Sequence, residues 1–108
     1  MDREKQQKAP FVEALEGYCQ QHMKAYHTPG HKLGQGISAY QANLFGDALR
    51  RDLGVMYALD DLFQPEGALK EAMELAADLY GAGRTFFSIN GTTACIEAMI
   101  LAVCGDGD

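Results

Sequence analysis

Runs of basic residues are missing from this 108-residue chain: Arg50-Arg51 is the longest, against a formal net charge of −6. Affinity for nucleic acid comes mainly from cations placed on phosphates, so no nucleic-acid partner is expected. Long apolar runs are missing too. No stretch reaches the roughly 20 residues that a membrane helix needs. The charged start Met1-Asp2-Arg3-Glu4-Lys5 is not followed by the apolar segment of a signal peptide, so no membrane partner is expected either. Cysteine is scarce: Cys19, Cys95 and Cys104 are odd in number and show no CxxC spacing. That usage fits reduced thiols and a cytoplasmic location. Cys95 and Cys104 fall within an apolar helical pattern and read as small core residues. Internal repeats and low-complexity linkers are also absent.

What is present suffices for one small domain. The apolar fraction of 47% excludes a disordered acidic tail, because that much apolar surface offsets chain entropy. A domain of this length buries only roughly two-thirds of its unfolded surface and is short for a cofactor enzyme.

Three segments follow from the pattern: a polar lead-in over 1–9, expected to be mobile; a helix and irregular segment over 10–64; and the beginning of a larger domain over 65–108. Pro10 opens a helix with Phe11, Leu15 and Tyr18 at helical spacing, fading near His22. A short extended candidate over 23–27 runs into the turn Thr28-Pro29-Gly30, and Gly34 and Gly36 prolong the irregular stretch. Residues 42–51 fit a helix that Gly46 weakens. The clearest helix covers 66–80: Pro65 stands at its start, Glu66 puts negative charge in the first turn, and Leu69, Met73, Ala76, Leu79 and Tyr80 form its apolar stripe. Gly81 or Gly83 ends it in left-handed conformation. Residues 84–89, with Thr85-Phe86-Phe87, read as a strand broken by Asn90-Gly91. A helix over 92–103 follows, apolar on nearly all sides (Ile96, Met99, Ile100, Leu101, Val103) and therefore expected to be buried. Helix, strand, glycine turn and buried helix make an α/β protein. In that class a second strand completes the crossover after Cys104-Gly105-Asp106-Gly107-Asp108, so the chain is expected to be a truncated piece.

Three constellations carry candidate chemistry. Asn90-Gly91-Thr92-Thr93 stands at a strand-to-helix junction, where unpaired N–H groups, a partial positive charge and two hydroxyls suit a phosphate. The segment has neither GxGxxG nor the P-loop lysine, so a dinucleotide or ATP is not indicated. By itself it more readily describes an ordinary N-cap. In His27-Thr28-Pro29-Gly30-His31-Lys32, the Pro-Gly pair prevents the two histidines from sharing a helix face, and no further ligands complete a metal site. The loop fits either a substrate- or cofactor-facing surface or a solvated turn. In Leu59-Asp60-Asp61-Leu62, adjacent aspartates diverge on most backbones, so turn and capping chemistry ahead of the 66–80 helix is the favoured reading.

In order and spacing, "HTPGHK", "LDDL…PEG…KEA…LAA…YGA", "RTFFSINGTT" and "AMILAVCGDGD" resemble the start of the ornithine/lysine/arginine decarboxylases, over roughly residues 11–108. The resemblance implies the aminotransferase-like fold of fold-type I enzymes, here the incomplete start of the large domain that binds pyridoxal 5'-phosphate. It implies a homo-oligomer, dimer or higher, acting on a basic amino acid. It places Gly91, Thr92 and Thr93 at the cofactor phosphate, and His27, His31 and Lys32 near the active site, often at a dimer interface, without a catalytic role for either histidine. Two departures stand out. The chain has Asp52-Leu53-Gly54-Val55 where the family commonly shows Asp-Leu-Thr-Glu. The Schiff-base lysine, the ring-stacking histidine and the aspartate at the ring nitrogen all lie beyond Asp108 in the family, so no catalytic residue is assigned and the chain alone is expected to be inactive. The alternatives are a non-catalytic α/β module that associates with a partner or paralogue, and a piece of another fold-type I enzyme, such as an aminotransferase or lyase.

Overall fold

The structure is a computed structural model that describes residues 2–21 and 23–108. Its elements are the helices α1 (Pro10–Gln20), α2 (Ala39–Phe45), α3 (Ala68–Tyr80) and α4 (Gly91–Val103), with 3-10 turns at Lys5–Gln7 and Gly46–Arg50. No helix among the described residues is long and apolar enough to cross a membrane.

α1 begins where the sequence puts it, with Pro10 in the first turn, and ends at Gln20. The expected fading point, His22, lies outside the described residues. α1 packs against α3, and the buried apolar side chains gather there and in the loop ahead of α3: Tyr18, Cys19, Leu59, Met73 and Ala77. The lead-in is tied rather than free. Gln6 Nε2 donates to the Leu75 carbonyl at 2.9 Å and to Asp78 Oδ2 at 3.2 Å, and Lys8 Nζ stands 3.6 Å from Glu71 Oε1. An amide that satisfies an α3 carbonyl has a reason to stay, which polar composition alone does not reveal.

The 42–51 helix resolves into two pieces. Ser38 accepts from the Gln41 N–H while Gln41 Oε1 accepts from the Ser38 N–H, a reciprocal cap that starts α2. Gly46, at φ +53, ends α2 and leads into the 3-10 turn. α3 starts two residues later than expected, at Ala68, because Gly67 is held outside helical geometry. Its end follows the expected form: Gly81 is left-handed at φ +64, and the Ala82 N–H reaches back to the Ala77 carbonyl at 2.9 Å. Met73 and Ala77 bury the stripe, whereas Leu79 and Tyr80 remain exposed.

The α/β expectation is not realised in these residues. The described residues form no strand; an isolated antiparallel bridge, Met56 to Asp60, stands in its place. Residues 84–89, expected as a strand, and 23–27, expected as extended, have no regular structure. A strand exists by pairing, and propensity alone does not hold one without a neighbour. Phe86 and Ile89 are exposed, and Arg84 lies 5.6 Å from the centre of the Phe86 ring. α4 forms as expected but is not buried: Ile96, Met99, Ile100, Leu101 and Val103 are all exposed because nothing packs over them. Of the two cysteines read as core, Cys95 is half-buried and Cys104 exposed, while Cys19 is the buried one.

The accessible surface is 8469 Å², against roughly 5,900 Å² for a compact chain of this mass. The radius of gyration is 17.7 Å, against roughly 13 Å for a compact domain. The small α1–α3 core therefore supports a layer of apolar surface that this fold leaves open.

Candidate functional site

The loop that carries His27, His31 and Lys32 is held to its surroundings by side chains distant in sequence. His27 Nε2 lies 2.9 Å from the Tyr18 hydroxyl, its Nδ1 lies 2.8 Å from the Thr28 carbonyl, and Lys32 Nζ donates to the His27 carbonyl at 2.6 Å. His31 Nε2 lies 3.1 Å from Asp52 Oδ2, and the Gly34 N–H points at His31 Nδ1 at 3.3 Å. Lys32, Leu33 and Gly34 follow one another at φ 51, 58 and 79. Two non-glycine residues in the left-handed region persist only where the surroundings fix them.

Those surroundings are the end of α1 and residues 46–54. Cys19 and Arg50 bond reciprocally: Cys19 Sγ donates to the Arg50 carbonyl and Arg50 Nη2 to the Cys19 carbonyl, both at 3.3 Å. Arg51 pairs with Glu16, and its hydrogen bond holds the Glu16 carboxyl below the ordinary value. The segment Asp52-Leu53-Gly54-Val55 lies against the His27–Lys32 loop, with Asp52 on His31 and Gly54 beside the Thr28 carbonyl. Sequence reasoning missed Tyr18, Asp52 and the Cys19–Arg50 pair. Their partners are 9 to 31 residues away: the helical spacing with Phe11 and Leu15 marked Tyr18 and the departure at 52–55 drew notice to Asp52, but neither signal named a partner.

The two adjacent aspartates diverge, as expected. Asp61 Oδ1 accepts the Phe63 N–H. Asp60, itself at φ 72, accepts the N–H groups of Asp61, Glu66, Gly67, Leu69 and Lys70 and closes the start of α3 from upstream. Partial burial pushes its carboxyl up, but the N–H groups of Glu66, Asp61, Gly67 and Lys70 outweigh that and bring it from 3.8 down to about 2. Replacing Asp60 with Ala is expected to destabilise the fold by about 1–2 kcal/mol after allowance for solvent screening, measured by urea unfolding. Because the folded carboxyl titrates below the unfolded one, its contribution is complete above about pH 4 and fades as the pH falls toward about 2. An Asp60→Ala chain that loses as much stability across that range as the parent would remove this assignment. Asp60, Asp61 and Glu66, with Val55, Tyr57 and Gln64, line an open groove of about 620 Å³.

Gly91, Thr92 and Thr93 form the exposed first turn of α4. Gly91 is at φ +79, and a Cβ there would meet nothing within 4 Å. No side chain caps this turn. α3 by contrast is closed by Asp60, and α2 by Ser38. The first turn of α4 therefore keeps its N–H groups, two hydroxyls and open space for an anion of phosphate size. Among the described residues no hydrogen bond or ion pair links this turn to the His27–Lys32 loop, so the two halves of the expected site are not joined here. No group of three or more His, Cys, Asp or Glu among those residues stands close enough to hold a metal.

Comparison with known proteins supplies the larger frame. Residues 9–108 match the family described as Orn/Lys/Arg decarboxylase, major domain. An arginine decarboxylase of Bacillus anthracis is 43% identical over 109 residues, covering all of this chain and 22% of that protein. One from Bacillus subtilis is 40% identical over 104 residues, covering 95% of this chain and 21% of that protein. The inducible ornithine decarboxylase of Escherichia coli is 35% identical over 112 residues, covering 97% of this chain and 15% of that protein. No solved structure matches. The chain spans about a fifth of the length of the curated relatives it matches. With all but its first eight residues inside the family's match, the chain belongs to the Orn/Lys/Arg decarboxylase family, as a segment of its major domain.

Proposed function

We propose that this chain is the N-terminal part of a pyridoxal-phosphate-dependent decarboxylase of a basic amino acid, and that its own contribution is part of the cofactor phosphate site. The observation that carries this reading is the uncapped, glycine-led first turn of α4 at the position the family motif assigns to the phosphate. The residues fit the group. Gly91 keeps the approach clear, the N–H groups of the turn and the hydroxyls of Thr92 and Thr93 supply donors, and the helix pole favours a dianion. When bound, the cofactor supplies the electron sink for the charge left as carbon dioxide departs. This chain holds and orients the phosphate end; the lysine, histidine and aspartate that handle the ring lie elsewhere in the family. Arginine is the first substrate to test, since the relatives of 40–43% identity that carry a substrate name are called arginine decarboxylases.

Gly91→Val is the direct test. A β-branched residue at φ +79 is strained and crowds the phosphate, so affinity for pyridoxal phosphate is expected to fall about 10- to 100-fold. Fluorescence titration of the native polypeptide reads it, and unchanged affinity would remove Gly91 from the site. A second reading, a non-catalytic module covered by a partner, is favoured by the exposure of α4. The intact mass of the polypeptide from its source separates the two: a mass several-fold above 11.8 kDa supports the enzyme, and a mass equal to it supports the module.

A further inference from the structure

We propose that the two loop histidines stand in opposite neutral tautomers set by the backbone, His27 with its proton on Nδ1 at the Thr28 carbonyl and His31 with its proton on Nε2 opposite the Gly34 N–H, and that Tyr18 and Asp52 are positioning residues that complete the two rings, so that the loop is set before any ligand reaches it.

The assignment follows from what each partner is able to do. A carbonyl oxygen only accepts, so the Thr28 carbonyl at 2.8 Å puts the His27 proton on Nδ1. His27 Nε2 is then a lone pair, and the Tyr18 hydroxyl at 2.9 Å is its donor. Tyr18 is 7% exposed, which leaves its hydroxyl little water to take as a substitute. Lys32 closes the other side through the His27 carbonyl. For His31 the logic reverses. The Gly34 N–H only donates, so Nδ1 accepts and the proton stands on Nε2, facing the Asp52 carboxylate. Each imidazole thus has both nitrogens committed, and the left-handed run Lys32-Leu33-Gly34 is tied to the His27 carbonyl by Lys32 and to His31 Nδ1 by the Gly34 N–H.

The functional meaning rests on the reading that this loop borders the cofactor site. There, both histidines give the loop a fixed shape rather than shuttle protons, and Tyr18 and Asp52 act through them. The test is independent of that reading. Long-range proton–nitrogen NMR of the histidine-labelled chain at about pH 8, assigned with His27→Gln and His31→Gln, reads the tautomers directly. Opposite single tautomers are expected. Tyr18→Phe removes the donor that meets the His27 Nε2 lone pair and is expected to shift His27 alone toward a mixture, whereas Asp52→Ala leaves the Gly34 N–H on His31 Nδ1, so His31 is expected to keep its proton on Nε2 but to lose that proton's protection from exchange with water. Matching tautomers, mixtures at both sites in the parent chain, or a Tyr18→Phe chain with His27 unchanged would overturn the proposal. If Tyr18→Phe scrambles both signals, the fold has been lost and Asp52→Ala decides, since it alters an exposed carboxylate; a His31 Nε2 proton there as protected from exchange as in the parent overturns the proposal. Failure of the decarboxylase reading leaves these signals in place, and failure of the tautomers leaves cofactor binding in place.

Discussion

Given pyridoxal phosphate and arginine, lysine or ornithine, the 108-residue chain is expected to release carbon dioxide no faster than the cofactor alone. A chimera in which it replaces the matching 22% of the Bacillus anthracis relative is expected to turn over at an enzyme's rate. The gap is on the order of a million-fold or more, because a cofactor enzyme's rate comes from orienting the reacting group and not from binding it. The chain offers no lysine for that task. Lys8 pairs with Glu71, Lys32 is bound to the His27 carbonyl, and Lys5, Lys24 and Lys70 stand exposed with no polar bond to the first turn of α4. Manometric or coupled carbon dioxide assays read both samples. Turnover by the isolated chain would contradict the reading, as would a chimera that folds and binds cofactor yet stays silent.

The isolated chain is also expected to self-associate at micromolar concentration and to bind an apolar dye. α4 exposes Ile96 at 47%, Met99 at 60%, Ile100 at 52%, Leu101 at 82% and Val103 at 81%. Full burial of each side chain stabilises by roughly 1.5–3 kcal/mol, so almost any apolar cover is favourable. Replacing Leu101 and Val103 with Lys is expected to restore a monomer and cut dye binding several-fold, read by sedimentation and fluorescence. The same pair in the chimera is expected to abolish folding, because a helix apolar on nearly all sides is an interior helix. A parent chain that sediments as a single monomer without binding dye would refute the expectation of cover.

The sequence made legible whatever depends on neighbours within a turn or two. Helix periodicity gave α1, α3 and α4 to within two residues at most ends, and Gly81 marked a stop that the backbone makes in the expected way. Asp60 was correctly assigned to capping, although its reach of six to ten residues to the α3 N–H groups is longer than any local motif. The strand at 84–89 failed because pairing is a property of two segments, and burial of α4 failed because it is a property of what surrounds a helix. Tyr18 illustrates the limit for the site. Its spacing predicts a core aromatic, which it is, and says nothing of a hydroxyl aimed at His27.

The reciprocal bonds between Cys19 and Arg50 have a kinetic consequence. The three thiols occupy three depths: Cys104 in solvent, Cys95 half-covered, and Cys19 closed within the pairing of α1 with the Gly46–Arg50 turn. A small alkylating reagent therefore meets them in sequence, and the last reacts slowest, hastened whenever α1 and that turn come apart. The rate of that last modification is a clock for the opening of the segment, written into the chain without any added probe.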